Sequence, residues 1–301
     1  MAATDDFISY LKGDRAFSAR SVEAYGDALR RFSTFLQEKE EDLTPDKADT
    51  DLIRQWMAHR MAEGVSARTV ALQLSALRAY YKYLLRTGRI ERDPTRLLRN
   101  PKVHRRLPTF VKQSEMDSLF DKVAFADDFT GRRDRTMLLT FYHTGLRVSE
   151  LIGLTLADVD CDEGELKVTG KRNKQRIIPF ATELADALRS YIHERLHLTN
   201  APTAPSEVGR LPLFVTPQAT PLSYPQVRAM VAHYLGLVTY QKKRSPHVLR
   251  HTFATAMLNN GADLEAIKQL LGHESIGTTE VYTHTTFADL KKEYELAHPR
   301  A

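Results

Sequence analysis

Cysteine is nearly missing from this chain: Cys161 stands alone among 301 residues. That excludes an intramolecular disulfide framework and any cysteine-built zinc cluster, and it points to a reducing interior compartment. Long apolar runs are missing too. No uninterrupted stretch reaches the roughly 20 residues a bilayer requires, and the opening "MAATDDFISYLKGD" is acidic where a signal peptide would be basic. The expectation is a cytoplasmic protein with no membrane partner. Internal repeats and low-complexity segments are absent. Around Gly170 and Lys171 the glycine spacing and the following Ser/Thr of a phosphate loop are missing, which disfavours a nucleotide triphosphatase. His247 and His251 are four apart, a spacing known from zinc sites, but the Glu of an HExxH motif is missing and no cysteine is at hand. Carboxylates suited to magnesium are not clustered either. We expect chemistry without a metal or cofactor.

What is present is a chain 42% hydrophobic and 27% charged, longer than the commonest single domain, so two domains are expected. Forty-three Lys and Arg outweigh 38 Asp and Glu, giving a formal charge of +5 and a pI near 9.2. Such an excess fits a polyanionic partner without demanding one.

From about Thr4 to Arg99 the pattern is helical throughout. Val22, Tyr25, Leu29, Phe32 and Leu36 share one face of "SVEAYGDALRRFSTFLQ"; "TDLIRQWMAHRM" follows, and "SARTVALQLSALRAYYKYLLRTG" opens on a cap at Ser66 and closes near Gly88. Residues 1–98 therefore form a helical bundle. Residues 99–107 read as a basic linker: Pro94, Pro101 and Pro108 interrupt regular structure, while Arg96, Arg99, Lys102, Arg105 and Arg106 arrive with no carboxylate after Asp93. Alone this is a solvated tether; beside DNA it would be a strap that neutralises phosphates. Residues 108–301 are mixed. "DRTMLLTFYHTGLRVSELIGL" is helical with a break at Gly145, "GELKVTGKRNKQRIIPF" alternates as a hairpin does, and helices then resume through "PQVRAMVAHYLGLV", "SPHVLRHTFATAMLNNG" and "ADLEAIKQLLGH". The fold class is mainly α with a small β-hairpin or sheet.

Several residues could carry chemistry. Arg147 follows Gly145-Leu146 in an apolar setting, where an unpaired charge costs several kcal/mol; Glu150, three residues on, could orient it, either as a plain ion pair or so that Arg147 reaches a phosphate. Pro246 suits the first turn of a helix, which puts His247 and Arg250 on one face. Lys171 sits at the hairpin tip beside Arg172, Lys174 and Arg176, a run that by itself reads as a solvated turn. In "LGHESIGTTEVYTH", Ser275 could cap a short helix and Tyr282 could be an ordinary half-buried aromatic.

Together, Arg147, Lys171, His247-x-x-Arg250, His273 and Tyr282, in the contexts "TGLRVSEL", "HVLRHTFAT" and "LGHESIGTTEVYTH", resemble the tyrosine recombinase (phage integrase) family. The likeness is close to its bacterial Xer branch, covers nearly the whole chain and extends to the terminal "HPRA". It implies a SAM-like core-binding bundle and an α+β catalytic domain. It further implies that Tyr282 attacks a DNA phosphate, becomes joined to its 3′ side and leads through a Holliday junction to exchanged strands, most fittingly for chromosome dimer resolution. A mobile-element integrase and a non-catalytic DNA-binding protein are the alternatives. Arg147 and Arg250 would clamp the phosphate oxygens, Lys171 would protonate the leaving oxygen, His247 would act as base and His273 would hydrogen-bond the phosphate. Double-stranded DNA would be gripped by Arg99, Arg105, Arg106, Arg172 and Lys174, with Arg68 and Gln73 near a groove. The resemblance also implies a tetramer on DNA, a second related recombinase, a DNA translocase as activator, and a final helix, "FADLKKEYELAHPRA", that docks on a neighbouring protomer.

Overall fold

The computed structural model describes residues 2–13, 15, 17–40, 42–102, 109–170, 173–198, 205–272 and 286–301. It divides into two compact units, Met1–Arg106 and Leu107–Ala301.

Among the described residues the first unit holds four α-helices: α1 (Ala2–Lys12), α2 (Ala19–Lys39), α3 (Thr50–Ala62) and α4 (Ala67–Arg86). Each of the last three starts where a short polar side chain satisfies an otherwise orphaned N–H: Ser18 accepts from Ser21 N, Asp49 from Leu52 N, and Ser66 from Thr69 N. The helical spacing read in α2 is realised, since Val22, Leu29, Phe32 and Leu36 are buried and Tyr25 is half-buried. Aromatic rings dominate this core, with Phe32 edge-on to Trp56 at 5.2 Å and Phe7 edge-on to Tyr80 at 5.4 Å. One expectation needs correcting: helix does not run on to Arg99. It ends at Arg86, and the following turns reach Asn100 because Gly88 and Pro94 interrupt the helical hydrogen-bond ladder. Arg78 holds this stretch to α4, donating to Leu98 O at 2.7 Å and to Asn100 Oδ1 at 2.8 Å.

The second unit contains α5 (Gln113–Asp121), α6 (Phe129–Thr144), α7 (Val148–Ile152), a sheet, α8 (Thr182–His197), α9 (Pro205–Val208), α10 (Tyr224–Val238), α11 (Pro246–Asn259), α12 (Leu264–Leu271) and α13 (Phe287–Ala297). Almost every residue of α6 is buried, including Leu138, Leu139, Phe141 and Tyr142. It packs against α8 and α11 as the central rod of this core. The three antiparallel strands run in the order β1 (Val159–Asp160), β2 (Glu165–Thr169), β3 (Gln175–Pro179). The hairpin of β2 and β3 follows the alternation read in the sequence, with Thr169 opposite Gln175 and Val168 opposite Arg176. Strand β1 was not anticipated, because two residues are too few to display a period.

The last helix lies against its own unit. Tyr294 and His298 are buried; Tyr294 Oη lies 2.9 Å from His143 Nδ1, and the His298 ring stacks on His143 at 4.6 Å. Arg300 then closes the chain end by donating to Glu183 at 2.7 Å and Asp121 at 2.8 Å. Among the described residues no helix is long and apolar enough to cross a membrane.

Candidate active site

Gly145 terminates α6 in the left-handed conformation, φ +60°. A Cβ there would sit 2.6 Å from Phe253 and 2.8 Å from Leu271, so backbone shape and lack of room both demand glycine. The chain can then turn sharply into Arg147, which is the N-cap of α7. Glu150, at the third position of that helix, reaches back: its Oε2 accepts from Arg147 N at 2.9 Å and its Oε1 from Arg147 Nη1 at 2.7 Å. Arg147 Nη2 also donates to Gly272 O at 3.2 Å, and the side chain stays about one-third exposed.

Arg250 is more deeply buried, on α11. Its guanidinium donates to Gly145 O at 2.8 Å and to Leu271 O at 2.6 Å. Burial lowers its pKa to about 10, the neighbouring charges of Arg147 and Arg176 push in the same direction, and Glu150 opposes them. The group is still protonated at neutral pH.

A third arginine joins them. Arg176, on β3, places its fork against Glu150 at 3.0 and 3.1 Å and gives Nε to Leu270 O at 2.8 Å. Glu150 therefore meets two guanidinium groups. Burial raises its pKa, the hydrogen bonds and charges of Arg176 and Arg147 together outweigh that, and the carboxylate ends below its ordinary value. Three successive carbonyls at the end of α12, those of Leu270, Leu271 and Gly272, thus each accept from a different arginine: Arg176, Arg250 and Arg147. These are groups a helix end leaves orphaned, at the end that favours cations. A cleft of about 730 Å³ opens here, lined by Arg147, Glu150, Lys174, Arg176 and Gln269. Among the described residues, the guanidinium groups of Arg147, Arg176 and Arg250 gather beside it with the Glu150 carboxylate.

Of the residues expected at the site, the structure brings Arg147 and Arg250 together on the end of α12. His247 is exposed in the first turn of α11, one turn before Arg250. His251 is exposed as well, its pKa lowered by partial burial and by the nearby His247 and Arg250. Among the described residues no three His, Cys, Asp or Glu side chains converge as metal ligands would. Lys171, Arg172, His273 and Tyr282 lie outside the described residues, as do Arg105 and Arg106 of the linker. Lys174 and Arg99 are exposed. On α4, Arg68 is exposed, whereas Gln73 is half-buried and accepts from Arg60 Nε at 3.5 Å. The sequence reading missed Arg176 by grouping it with the solvated hairpin tip. A signal was present: in β3 it shares a face with buried Ile178, two residues on, and an inward-facing arginine needs a carboxylate.

The Phage integrase family model matches residues 109–289, and the model for the phage integrase N-terminal SAM-like domain matches residues 4–88. The chain belongs to the phage integrase family. It is an enzyme, a tyrosine recombinase of site-specific DNA recombination. Curated relatives agree over nearly their full length. Tyrosine recombinase XerC of Chlorobaculum tepidum is 38% identical, covering 98% of this chain and 94% of the relative. The XerC of Azotobacter vinelandii is 38% identical over 100% and 97%, and XerD of Staphylococcus saprophyticus is 35% identical over 99% and 98%. Among solved structures, the XerH site-specific recombinase on palindromic difH substrate superimposes with a TM-score of 0.71 at 20% identity, over 96% of this chain and 83% of that one. The Tn1549 transposon integrase with circular intermediate DNA gives 0.67 at 18%, over 97% and 98%. At those identities the likeness concerns the fold, which for this recombinase is mostly helical with one small antiparallel sheet.

Proposed function

We propose that this recombinase cuts and rejoins double-stranded DNA with Tyr282 as nucleophile, through a 3′-phosphotyrosyl enzyme and a Holliday junction. The observation that carries the reading is the pairing of Arg147 and Arg250 on the end of α12, immediately before His273 in the chain. In-line displacement at a phosphodiester builds charge on the non-bridging oxygens, and two planar forks held by buried partners are suited to receive it. A tyrosyl phosphodiester conserves the energy of the broken bond, so rejoining needs no nucleotide. In this reading Lys171 protonates the departing 5′ oxygen, His247 accepts the phenol proton and His273 bonds the phosphate. Arg147, Arg250 and their neighbours supply the electrostatic clamp, with no metal required of the mechanism.

Residues 1–98 serve as the core-binding domain, 99–107 as a basic linker and 108–301 as the catalytic domain. Arg99, Arg105, Arg106, Arg172 and Lys174 contact phosphates, and Arg68 and Gln73 lie toward a groove, so affinity falls steeply with salt. Relatives called XerC and XerD at 35–38% identity favour chromosome dimer resolution; in this reading the enzyme works in the cytoplasm as a tetramer with a second related recombinase and a DNA translocase as activator. Helix α13, which packs on its own unit in the free chain, would move to a neighbouring protomer in that assembly.

A nicked suicide substrate tests the chemistry. Wild-type protein traps a covalent protein–DNA adduct and Tyr282→Phe binds without trapping one. Binding by both with an adduct from neither would leave only a DNA-binding protein.

A further inference from the structure

We propose that Arg176 is a positioning residue for strand cleavage: from β3 it locks Glu150 and the end of α12 into one geometry and thereby aims the Arg147 fork. The inference rests on the reading that Arg147 holds the scissile phosphate.

Arg176 does not itself have the form of a phosphate ligand. Its side chain is about 15% exposed, and each of its three nitrogens already donates within the protein: Nε to Leu270 O, Nη1 to Glu150 Oε1 and Nη2 to Glu150 Oε2. What it touches is what Arg147 touches. Glu150 Oε1 is shared between Arg176 Nη1 and Arg147 Nη1, and Oε2 between Arg176 Nη2 and the backbone N–H of Arg147. At the other end, Leu270 O binds Arg176 while Gly272 O, two residues on, binds Arg147. One guanidinium therefore ties three elements, β3, α7 and α12, at the two anchor points of Arg147. Gly272 reflects this use of space: besides its φ of +62°, a Cβ there would come within 3.0 Å of Arg176 Nη1.

The arrangement has a reason in charge. Glu150 held by Arg147 alone would be a buried carboxylate whose only guanidinium must also leave its pocket wall to engage DNA. With Arg176 in place, Glu150 stays ionised and fixed whichever way Arg147 leans. Lysine cannot substitute, because a single ammonium spans neither both carboxylate oxygens nor the additional carbonyl. Misplacement of a substrate-holding group by about 1 Å can cost on the order of 100-fold in rate, so a supporting residue of this kind is felt in the chemical step.

The test uses full-length protein and the nicked suicide substrate at saturating protein, comparing wild type with Arg176→Gln, Arg176→Lys, Glu150→Gln and the double variant Glu150→Gln/Arg176→Gln. We expect half-site affinity within about threefold of wild type and an adduct-forming rate constant roughly 10- to 100-fold lower in Arg176→Gln, with Arg176→Lys recovering only part. The double variant should be no slower than the slower single one, since both act on the same fork. A pH profile adds a readout that looser folding would not move. Glu150 faces Arg147 from its own helix cap, Arg176 from β3 and Arg250 from α11. Without Arg176, burial raises the carboxyl and the acid limb of the rate shifts to higher pH. An unchanged rate constant, additive effects in the double variant, or a smaller adduct amplitude at unchanged rate and profile would each overturn the proposal. Should Arg176→Gln melt below the assay temperature, Arg176→Lys carries the same comparison. Absence of an adduct from wild type, or its formation by Tyr282→Phe, would instead remove the underlying reading and be recognised as such.

Discussion

Two polar clusters of the second unit are built on opposite plans. In one, Arg147, Arg176 and Arg250 surround Glu150, every group is charged, cations outnumber the anion, and a cleft opens beside them. In the other, His143, Tyr294 and His298 stack under the last helix. Burial, reinforced by the other imidazole, lowers His298 to about 3, and burial lowers His143 against the pull of Glu183, 3.6 Å away. Arg300 is matched by Glu183 and Asp121, and Glu183 also meets Arg135 at 3.5 Å. The comparison teaches that burial of polar groups has two uses. The arginine cluster fixes guanidinium groups beside a cleft, whereas the closed cluster fastens the chain end.

Charge removal at the arginine cluster should separate the two clusters most strongly. Arg147→Ala should slow adduct formation by about 100- to 1,000-fold at neutral pH, the scale of losing one preorganised donor to a developing oxyanion, and Arg147→Lys should recover little because the fork is lost. Single-turnover trapping on the nicked substrate measures both. A loss below tenfold would mean that Arg147 does not meet the reacting phosphate.

The closed cluster should respond to pH instead. Histidines held neutral below their unfolded value of about 6.5 make the unfolded state the better proton acceptor, so stability is full above that pH and declines as the pH falls toward 3. The expected slope is about 1.4 kcal/mol per pH unit for each proton, read by urea denaturation between pH 7 and 4.5. His298→Phe should flatten that slope, and an unchanged slope would show that His298 is not what titrates.

The smallest effect comes from removing one hydroxyl. Tyr294→Phe deletes the partner of His143 Nδ1 and should cost about 1–2 kcal/mol of stability while half-site binding stays the same. A change in binding without one in stability would mean that the two clusters are less separate than their contacts indicate.

Much of the fold could be read from periodicity, because helix caps and apolar stripes are written locally: Ser66 begins α4, Pro246 begins α11, Gly145 ends α6, and the hairpin alternates. The Arg147–Glu150 pair was legible for the same reason, being three residues apart. Arg176 was not, since its carboxylate lies 26 positions away and it closes a run that also holds Lys171, Arg172 and Lys174. The carbonyls of Leu270, Leu271 and Gly272 could not be read at all, because every residue carries one and only the tertiary fold selects which ones meet a guanidinium. His143 and His298 escaped notice because two histidines far apart in the chain announce nothing until packing stacks their rings.

Helix α12 is eight residues long and closed at both ends, by the Asp263 carboxylate at its start and the left-handed Gly272 at its finish. Each residue turns a helix by about 100° and advances it by about 1.5 Å, so inserting or deleting one residue would offer the wrong carbonyl to all three arginines simultaneously. The segment works as a measuring rod: its outward side chains are open to exchange, but its residue count is not.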